Sequence, residues 1–253
     1  MAVQTVITKF YPEARLLGHT FVDGTVAFYN SINNIITANA KDVVLLDLGC
    51  GRGSYMDELE ERDASHIVNL RNFKGRVKKV IGLDFDKNAA VNPSIDEFHL
   101  LELDKPWPIE DESIDICMSD WVMEHVDDVD FFFSELNRVM KKDGYVCFRT
   151  VNKYGYIALV SSLIPNYFHS KLLKRIQSDR KEEDVFPTRY KCNTKGKISR
   201  TFKEHGFEPY VYHHVSEPSY FTFSYVSFAF GYYLHKLLPD RFKTTIFAFG
   251  KKI

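Results

Sequence analysis

The chain has 253 residues, of which 45 % are hydrophobic and 26 % are charged, a globular composition that can bury one sizeable core. Its formal net charge is -1, and no strongly basic domain of the kind expected for a nucleic-acid-binding protein stands out, so nucleic acid is not favoured as a partner. The four cysteines show no CxxC spacing, which argues against a structural zinc site.

The N-terminal residues have no basic start followed by an apolar run, so no secretory signal is indicated. Residues 21–40 read as a helix with Phe28, Ile32 and Ile36 on one side. We expect residues 1–40 to form a helical cap. Because three of the cysteines fall in apolar, strand-like surroundings, a reduced, cytoplasmic protein is expected.

From residue 43 onward, short apolar runs alternate with helical stretches, which indicates a parallel sheet with crossover helices. The predicted strands cover residues 43–48, 79–84, about 97–101, 113–119 and 144–151, with two more near 208–215 and 243–250. Between the fourth and fifth strands, residues 130–142 predict a crossover helix that ends at the turn Asp143-Gly144.

The stretch 218–235 contains eight aromatic residues and no Asp, Glu, Lys or Arg. Polar interruptions argue against a membrane-spanning helix, which needs about 20 predominantly apolar residues. Phe221, Tyr225, Phe228 and Tyr232 would form one aromatic stripe on a helix, and such a stripe is more often ordinary core than a lipid contact. A peripheral membrane contact through residues 218–238 stays open.

Charge is unevenly divided along the chain: residues 1–150 carry 16 Lys and Arg against 26 Asp and Glu, and residues 151–253 carry 17 against 8. The basic later region could steer an anionic substrate or a membrane surface toward itself. Neutralisation between two packed halves explains the asymmetry equally well.

The strongest motif is Asp47-Leu48-Gly49-Cys50-Gly51-Arg52-Gly53, an acid at a strand end followed by three alternate glycines. Glycines allow a tight turn and a close approach of the backbone to a ligand. A dinucleotide fingerprint would read GxGxxG with an acid about 20 residues further on, whereas here Asp47 precedes the glycines and the next strand-end acid is Asp84. Asp47 would repel a pyrophosphate and attract the ammonium of an amino-acid moiety.

These residues resemble the first motif of the class I S-adenosylmethionine-dependent methyltransferases, in particular those acting on small molecules. VIGLDFD (80–86) is similar to their second-strand motif, and residues 102–128 to the segment from the adenine-binding acid to the loop after the fourth strand. Residues 135–152 resemble their next helix and fifth strand, with Lys142 and Asp143 replacing the usual Pro and Gly of that helix exit.

The resemblance implies an α/β fold: a Rossmann-like, doubly wound, seven-stranded, mostly parallel sheet with an antiparallel last strand, plus N-terminal helices and a helical cap. It implies a cofactor-binding core over residues 41–152. Residues 153–253 would supply a substrate-cap insertion and the remaining strands of the same domain.

The implied cofactor is S-adenosyl-L-methionine, with S-adenosyl-L-homocysteine as product; the reaction requires no metal. Asp84 would accept hydrogen bonds from both ribose hydroxyls, and Asp104 would lie near the adenine amino group. The implied cofactor-binding residues are Asp47, Gly49, Cys50, Gly51, Gly53, Asp84, Phe85, Leu103, Asp104, Ser119, Asp120 and Trp121. As alternatives, Asp47 and Asp84 could be helix N-caps and Asp104 a turn residue.

His125 is the candidate general base, because it lies in the segment after the fourth strand and imidazole titrates near neutrality. A structural or substrate-shaping role is the favoured interpretation of this histidine. Arg189 and Tyr190 are candidate acceptor contacts on a lid, or alternatively part of a surface loop.

We expect methyl transfer to a small-molecule or lipid- or glycan-linked acceptor, by a cytoplasmic protein that could sit at the inner face of a membrane. A protein methyltransferase and a catalytically silent binding or scaffold module are the alternatives. The acceptor and the oligomeric state are not specified by the sequence.

Overall fold

The computed structural model describes residues 3–38, 42–54, 65–102, 105–158 and 187–253. One seven-stranded sheet runs through it in the order β3-β2-β1-β4-β5-β7-β6. The strands are β1 (Val44–Leu48), β2 (Lys79–Asp84), β3 (Glu97–Leu100), β4 (Ile114–Asp120), β5 (Met140–Val151), β6 (Phe207–His214) and β7 (Thr245–Lys252). Strands β1 to β5 pair in parallel, and β7 is antiparallel to both β5 and β6. The predicted fold class is confirmed.

Helices cover both faces of this sheet. They are α1 (Val3–Phe10), α2 (Ala14–Leu17), α3 (Gly24–Ala38), α4 (Ser65–Arg71), α5 (Val129–Val139), α6 (Lys195–Glu204) and α7 (Tyr225–Leu237). Successive side chains of β1 point to opposite faces, so Leu45 packs with Phe28 of α3 while Leu46 packs with Phe133 of α5. The β1 run is apolar because both of its faces are buried.

Two predicted helix boundaries are wrong, and a hydrogen-bonding side chain explains each. Helix α3 begins at Gly24 rather than at residue 21, because the Asp23 carboxylate accepts hydrogen bonds from the backbone N–H groups of Thr25 and Val26 (2.8 and 2.9 Å). Helix α5 ends at Val139 rather than at residue 142. There the Lys252 ammonium donates to the carbonyls of Asn137 and Met140 (2.7 and 2.8 Å), which satisfies helix-end acceptors.

The aromatic segment forms α7, but the predicted stripe is not one continuous helix. Phe221 lies in a short 3-10 turn, and α7 begins only at Tyr225, after the capping residue Ser224. The ring of Phe10 lies about 5 Å from three rings of α7, those of Tyr225 (5.3 Å), Phe228 (5.2 Å) and Tyr232 (5.0 Å). Helices α1 and α7 therefore pack on each other through aromatic side chains. No helix within the described ranges is long and apolar enough to cross a bilayer.

Candidate active site

The acids of the neighbouring strands β1 and β2 meet the glycine loop at the carboxyl edge of the sheet. Asp47 is the penultimate residue of β1, and Asp84 is the last residue of the parallel strand β2. One oxygen of the Asp84 carboxylate accepts from the backbone N–H of Gly51 and the other accepts from that of Asp86, both at 2.8 Å. Asp84 thus fixes the loop to β2, and each of its oxygens keeps a further lone pair for a ligand.

The three glycines of the loop serve different purposes. A Cβ on Gly49, whose φ is +77°, would lie 2.3 Å from the Val122 side chain, and one on Gly53, at φ +74°, would lie 2.6 Å from Asn92. Gly51 has φ +56° and nothing within 4 Å of its Cβ position. Only Gly51 therefore offers open backbone to a ligand, while Gly49 and Gly53 allow the protein to pack on itself.

A cavity of about 140 Å³ opens beside this loop. Two carboxylates, of Asp47 and Asp120, and the guanidinium of Arg71 line it together with Gly49, Cys50 and Trp121. The sequence prediction missed five further lining residues, which are Tyr29, Phe73, Val80, Ser94 and Met118, and it gave no role to Arg71. A cavity of this size suits the amino-acid end of a larger ligand, because complete small-molecule sites have volumes of about 300–1,000 Å³.

Asp47 is half-buried and lies on the wall of this cavity. Burial, and then the negative charge of Asp120, raises the pKa of Asp47 to about 7, although Arg71 partly opposes the shift. An unliganded carboxylate of this kind is poised to gain from a cation placed beside it. A ligand ammonium would supply that cation.

Asp120 is held by a buried ion pair across β4 and β5. Nε and Nη2 of Arg149 donate to its two carboxylate oxygens, each at 2.5 Å, and the Tyr29 hydroxyl donates to one of them at 3.2 Å. Nη1 of Arg149 donates to Thr25 at the start of α3 (3.0 Å). Burial alone would lower the pKa of Arg149, but the neighbouring Asp120 carboxylate raises it, so the guanidinium stays charged. The sequence held one signal for this ion pair. Arg149 is the one charged residue in the apolar strand segment VCFRTV, and a buried charge needs a partner of opposite charge.

The remaining predicted cofactor residues differ in their surroundings. Trp121 lies at the cavity in a left-handed conformation (φ +61°), with the Arg149 guanidinium 5.1 Å from its ring. Phe85 is half exposed next to Asp84, and Ser119 is buried with no hydrogen-bond partner for its hydroxyl among the described residues. Burial raises the pKa of the Cys50 thiol, which keeps it neutral. Leu103 and Asp104 lie outside the described residues.

His125, Arg189 and Tyr190 come together next to this site. Nδ1 of His125 bonds the Pro187 carbonyl (3.1 Å), so in the neutral ring Nδ1 carries the proton. The backbone N–H groups of Arg189 and Tyr190 both donate to the Glu124 carbonyl, at 2.7 and 3.2 Å. The segment 187–190 is therefore docked on the loop after β4, where an acceptor lid was predicted.

Residues 46–148 match the family model described as a methyltransferase domain. Over 122 residues the chain is 30 % identical to the ubiquinone biosynthesis O-methyltransferase of Pelagibacter ubique, covering 45 % of this chain and 44 % of that protein. It is 27 % identical over 116 residues to the malonyl-[acyl-carrier protein] O-methyltransferase of Hamiltonella defensa, covering 46 % of this chain and 41 % of that one. The chain thus spans less than half the length of these relatives.

The fold is also similar to that of a solved S-adenosylmethionine-dependent methyltransferase from Archaeoglobus fulgidus. The TM-score is 0.52 at 16 % identity, with 96 % of this chain and 99 % of that one covered. At this level of identity, the similarity concerns the fold alone.

Proposed function

We propose that the protein is a class I S-adenosylmethionine-dependent methyltransferase that transfers the methyl group of this cofactor to a small-molecule or lipid- or glycan-linked acceptor, since residues 46–148 match the methyltransferase-domain model. The observation that carries the proposal is the pair Asp47 and Asp84 at the ends of neighbouring parallel strands, with the open backbone of Gly51 hydrogen-bonded to Asp84. Within this proposal residues 1–40 form a helical cap and residues 41–152 the cofactor-binding core. Residues 153–253 supply a substrate-cap insertion and the remaining strands of the same domain.

The residues present fit the cofactor at both ends. Asp47 would bind its ammonium group, and Arg71, on the wall of the same cavity, its carboxylate. The lone pairs of Asp84 that do not hold the loop would accept the ribose hydroxyls, with Phe85 beside the base. When bound, the cofactor supplies an activated methyl group, so the work of the protein is alignment rather than activation.

Affinity for the cofactor is expected to rise about tenfold between pH 5.5 and pH 7.0. The Asp47 pKa of about 7 means that the ligand-free carboxyl is mostly protonated at pH 5.5, and a bound ammonium requires the ionised form. The free amino group of the ligand stays charged over this range. Titration calorimetry at both pH values measures the effect, with Asp47→Asn as control. Equal pH dependence in the wild type and the variant would contradict the role of Asp47.

The acceptor is expected to present an oxygen nucleophile. The two relatives compared above are named as O-methyltransferases, one in ubiquinone biosynthesis and one for malonyl-[acyl-carrier protein]. The test is transfer of a labelled methyl group from S-adenosylmethionine to a panel of phenols and carboxylic acids, free and lipid-linked, with release of S-adenosylhomocysteine as second readout. Cofactor binding without transfer to any acceptor would favour the silent binding module.

His125 acts in this proposal as a positioning residue for the segment 187–190, through its bond to the Pro187 carbonyl. His125→Ala should therefore raise KM for the acceptor and lower kcat by less than about tenfold, whereas loss of a general base lowers kcat by about 10²–10⁴-fold. The matched control is His213→Ala, because His213 is a histidine of the edge strand β6 whose ring bonds the Asp240 carboxylate. A hundredfold fall in kcat with loss of the acidic limb of the pH profile would identify His125 as the base instead.

A further inference from the structure

Helix α7 leaves one apolar face uncovered. Val226, Phe230, Tyr233 and Leu237 follow one another at spacings of four, three and four, so they share one side of the helix. Their exposures are 76, 61, 59 and 81 %, and Phe223 just before the helix is 81 % exposed. The opposite side of α7 is the one that packs on Phe10. We call these five residues the outer stripe; a contiguous apolar surface of this kind marks an interaction site.

We propose that the outer stripe docks on the surface of an anionic lipid bilayer. No Asp or Glu occurs between residues 218 and 239, so nothing along the helix repels a negatively charged surface. Two cations flank helix α7 instead. Lys236 lies over the Tyr232 ring (4.3 Å), and Lys9 of α1 lies over the Tyr225 ring (5.2 Å). Apolar and aromatic side chains bordered by lysines are the composition of interfacial helices.

A second copy of this chain fits the outer stripe less well. One helical stripe of five side chains is small against the roughly 20–30 residues that each partner contributes to a stable protein interface. Tyrosine and phenylalanine, by contrast, suit the boundary between headgroups and acyl chains.

Hydrogen bonds link the chain just before α7 to the residues that precede α3, and the start of α3 to the cavity wall. The Thr20 hydroxyl donates to Glu217 (3.1 Å), and the His214 ring bonds the Val22 carbonyl (2.9 Å). Thr25, three residues further on, is hydrogen-bonded to Arg149, which holds Asp120 at the cavity wall. Docking would therefore bring the cavity close to a lipid-borne acceptor; this last step rests on the proposed function, and the docking does not.

Sedimentation with vesicles tests the docking. Wild-type protein should pellet at low salt with vesicles of equal phosphatidylcholine and phosphatidylglycerol, and less with phosphatidylcholine alone. Phe230→Ser/Tyr233→Ser should lower the partition coefficient by about tenfold or more, since interfacial binding scales with buried apolar area. The matched control is Tyr210→Ser/Ile253→Ser, two exposed side chains on or next to the sheet. Failure of the wild type to pellet, or equal loss in both pairs, would overturn the proposal.

A fluorescent probe on the outer stripe distinguishes a bilayer from a second copy of the chain at this surface. The four native cysteines are buried, so a polarity-sensitive thiol dye should label Val226→Cys selectively. A blue shift should appear only when the anionic vesicles are added, and not for the same dye on Lys142→Cys, an exposed position near the start of β5. A shift without vesicles would contradict the proposal. A shift that grows with protein concentration would indicate a second copy, and one that does not would indicate that another part of the same chain covers the stripe.

Calorimetry with S-adenosylmethionine on the same samples separates this proposal from the proposed function. Both outer-stripe variants should bind the cofactor as the wild type does. Vesicle binding by a protein that does not bind the cofactor would leave the docking standing and remove the proposed function.

Discussion

Replacing Arg149 by methionine is expected to lower the free energy of unfolding by about 3–5 kcal/mol, the range for breaking one side of a buried ion pair. The guanidinium is almost fully buried and provides two of the hydrogen bonds to Asp120, as well as the one to Thr25. Without it, the Asp120 carboxylate would remain in the protein interior close to Asp47, with its charge uncompensated. Urea unfolding, followed by circular dichroism, measures the loss.

Two further variants serve as controls for the Arg149→Met measurement. Lys141→Met removes a cation that is paired with Asp115 at 2.8 Å but is much more exposed, and should change stability by no more than about 1 kcal/mol. Asp120→Asn combined with Arg149→Met should recover part of the loss, because no buried charge is then left alone. An Arg149→Met effect as small as that of Lys141→Met would show that the pair does not hold the cavity wall.

Asp84→Ala is expected to weaken S-adenosylmethionine binding by about 1.5–3 kcal/mol, or roughly 10- to 150-fold in Kd. The change removes the acceptor proposed for the ribose hydroxyls and also the bond that fixes Gly51. Asp84→Asn separates the two effects, because its amide oxygen can still accept from the loop. Titration calorimetry of the folded variants provides the measurement.

The control for this prediction is Asp86→Ala. It removes an equal charge two residues away, from a side chain that pairs with Arg52 (2.8 Å), and should change Kd by less than about threefold. Similar losses of cofactor affinity in Asp84→Ala and Asp86→Ala would mean that Asp84 acts only by general electrostatic attraction. An unchanged Kd in Asp84→Ala would contradict the assignment of Asp84 to the ribose hydroxyls.

The strands and the glycine loop were predictable because local sequence determines them. A run such as VVLLDL is apolar enough only for a strand buried on both faces, and the acid and glycines after it limit the loop to few conformations. The packing of Gly49 on Val122 and of Gly53 on Asn92 was not predictable, since it joins residues that are far apart in the chain.

The orientation of α7 shows the same limit on a larger scale. Apolar side chains lie on both sides of this helix, so its periodicity does not reveal which side faces inward. The side of the helix that the sequence drew attention to, with Tyr225, Phe228 and Tyr232, packs on Phe10. The exposed side is the other one, with Val226, Phe230, Tyr233 and Leu237. The partner helix α1, about 220 residues away in the sequence, decides between the two sides.

The central claim is that the cavity between β1 and β4 receives the amino-acid end of S-adenosylmethionine. Titrating the wild-type protein in a calorimeter with this cofactor, and separately with NAD, tests it most directly. We expect saturable one-to-one binding of S-adenosylmethionine and no measurable heat with NAD. Folded protein that binds NAD, or that fails to bind S-adenosylmethionine, would contradict it.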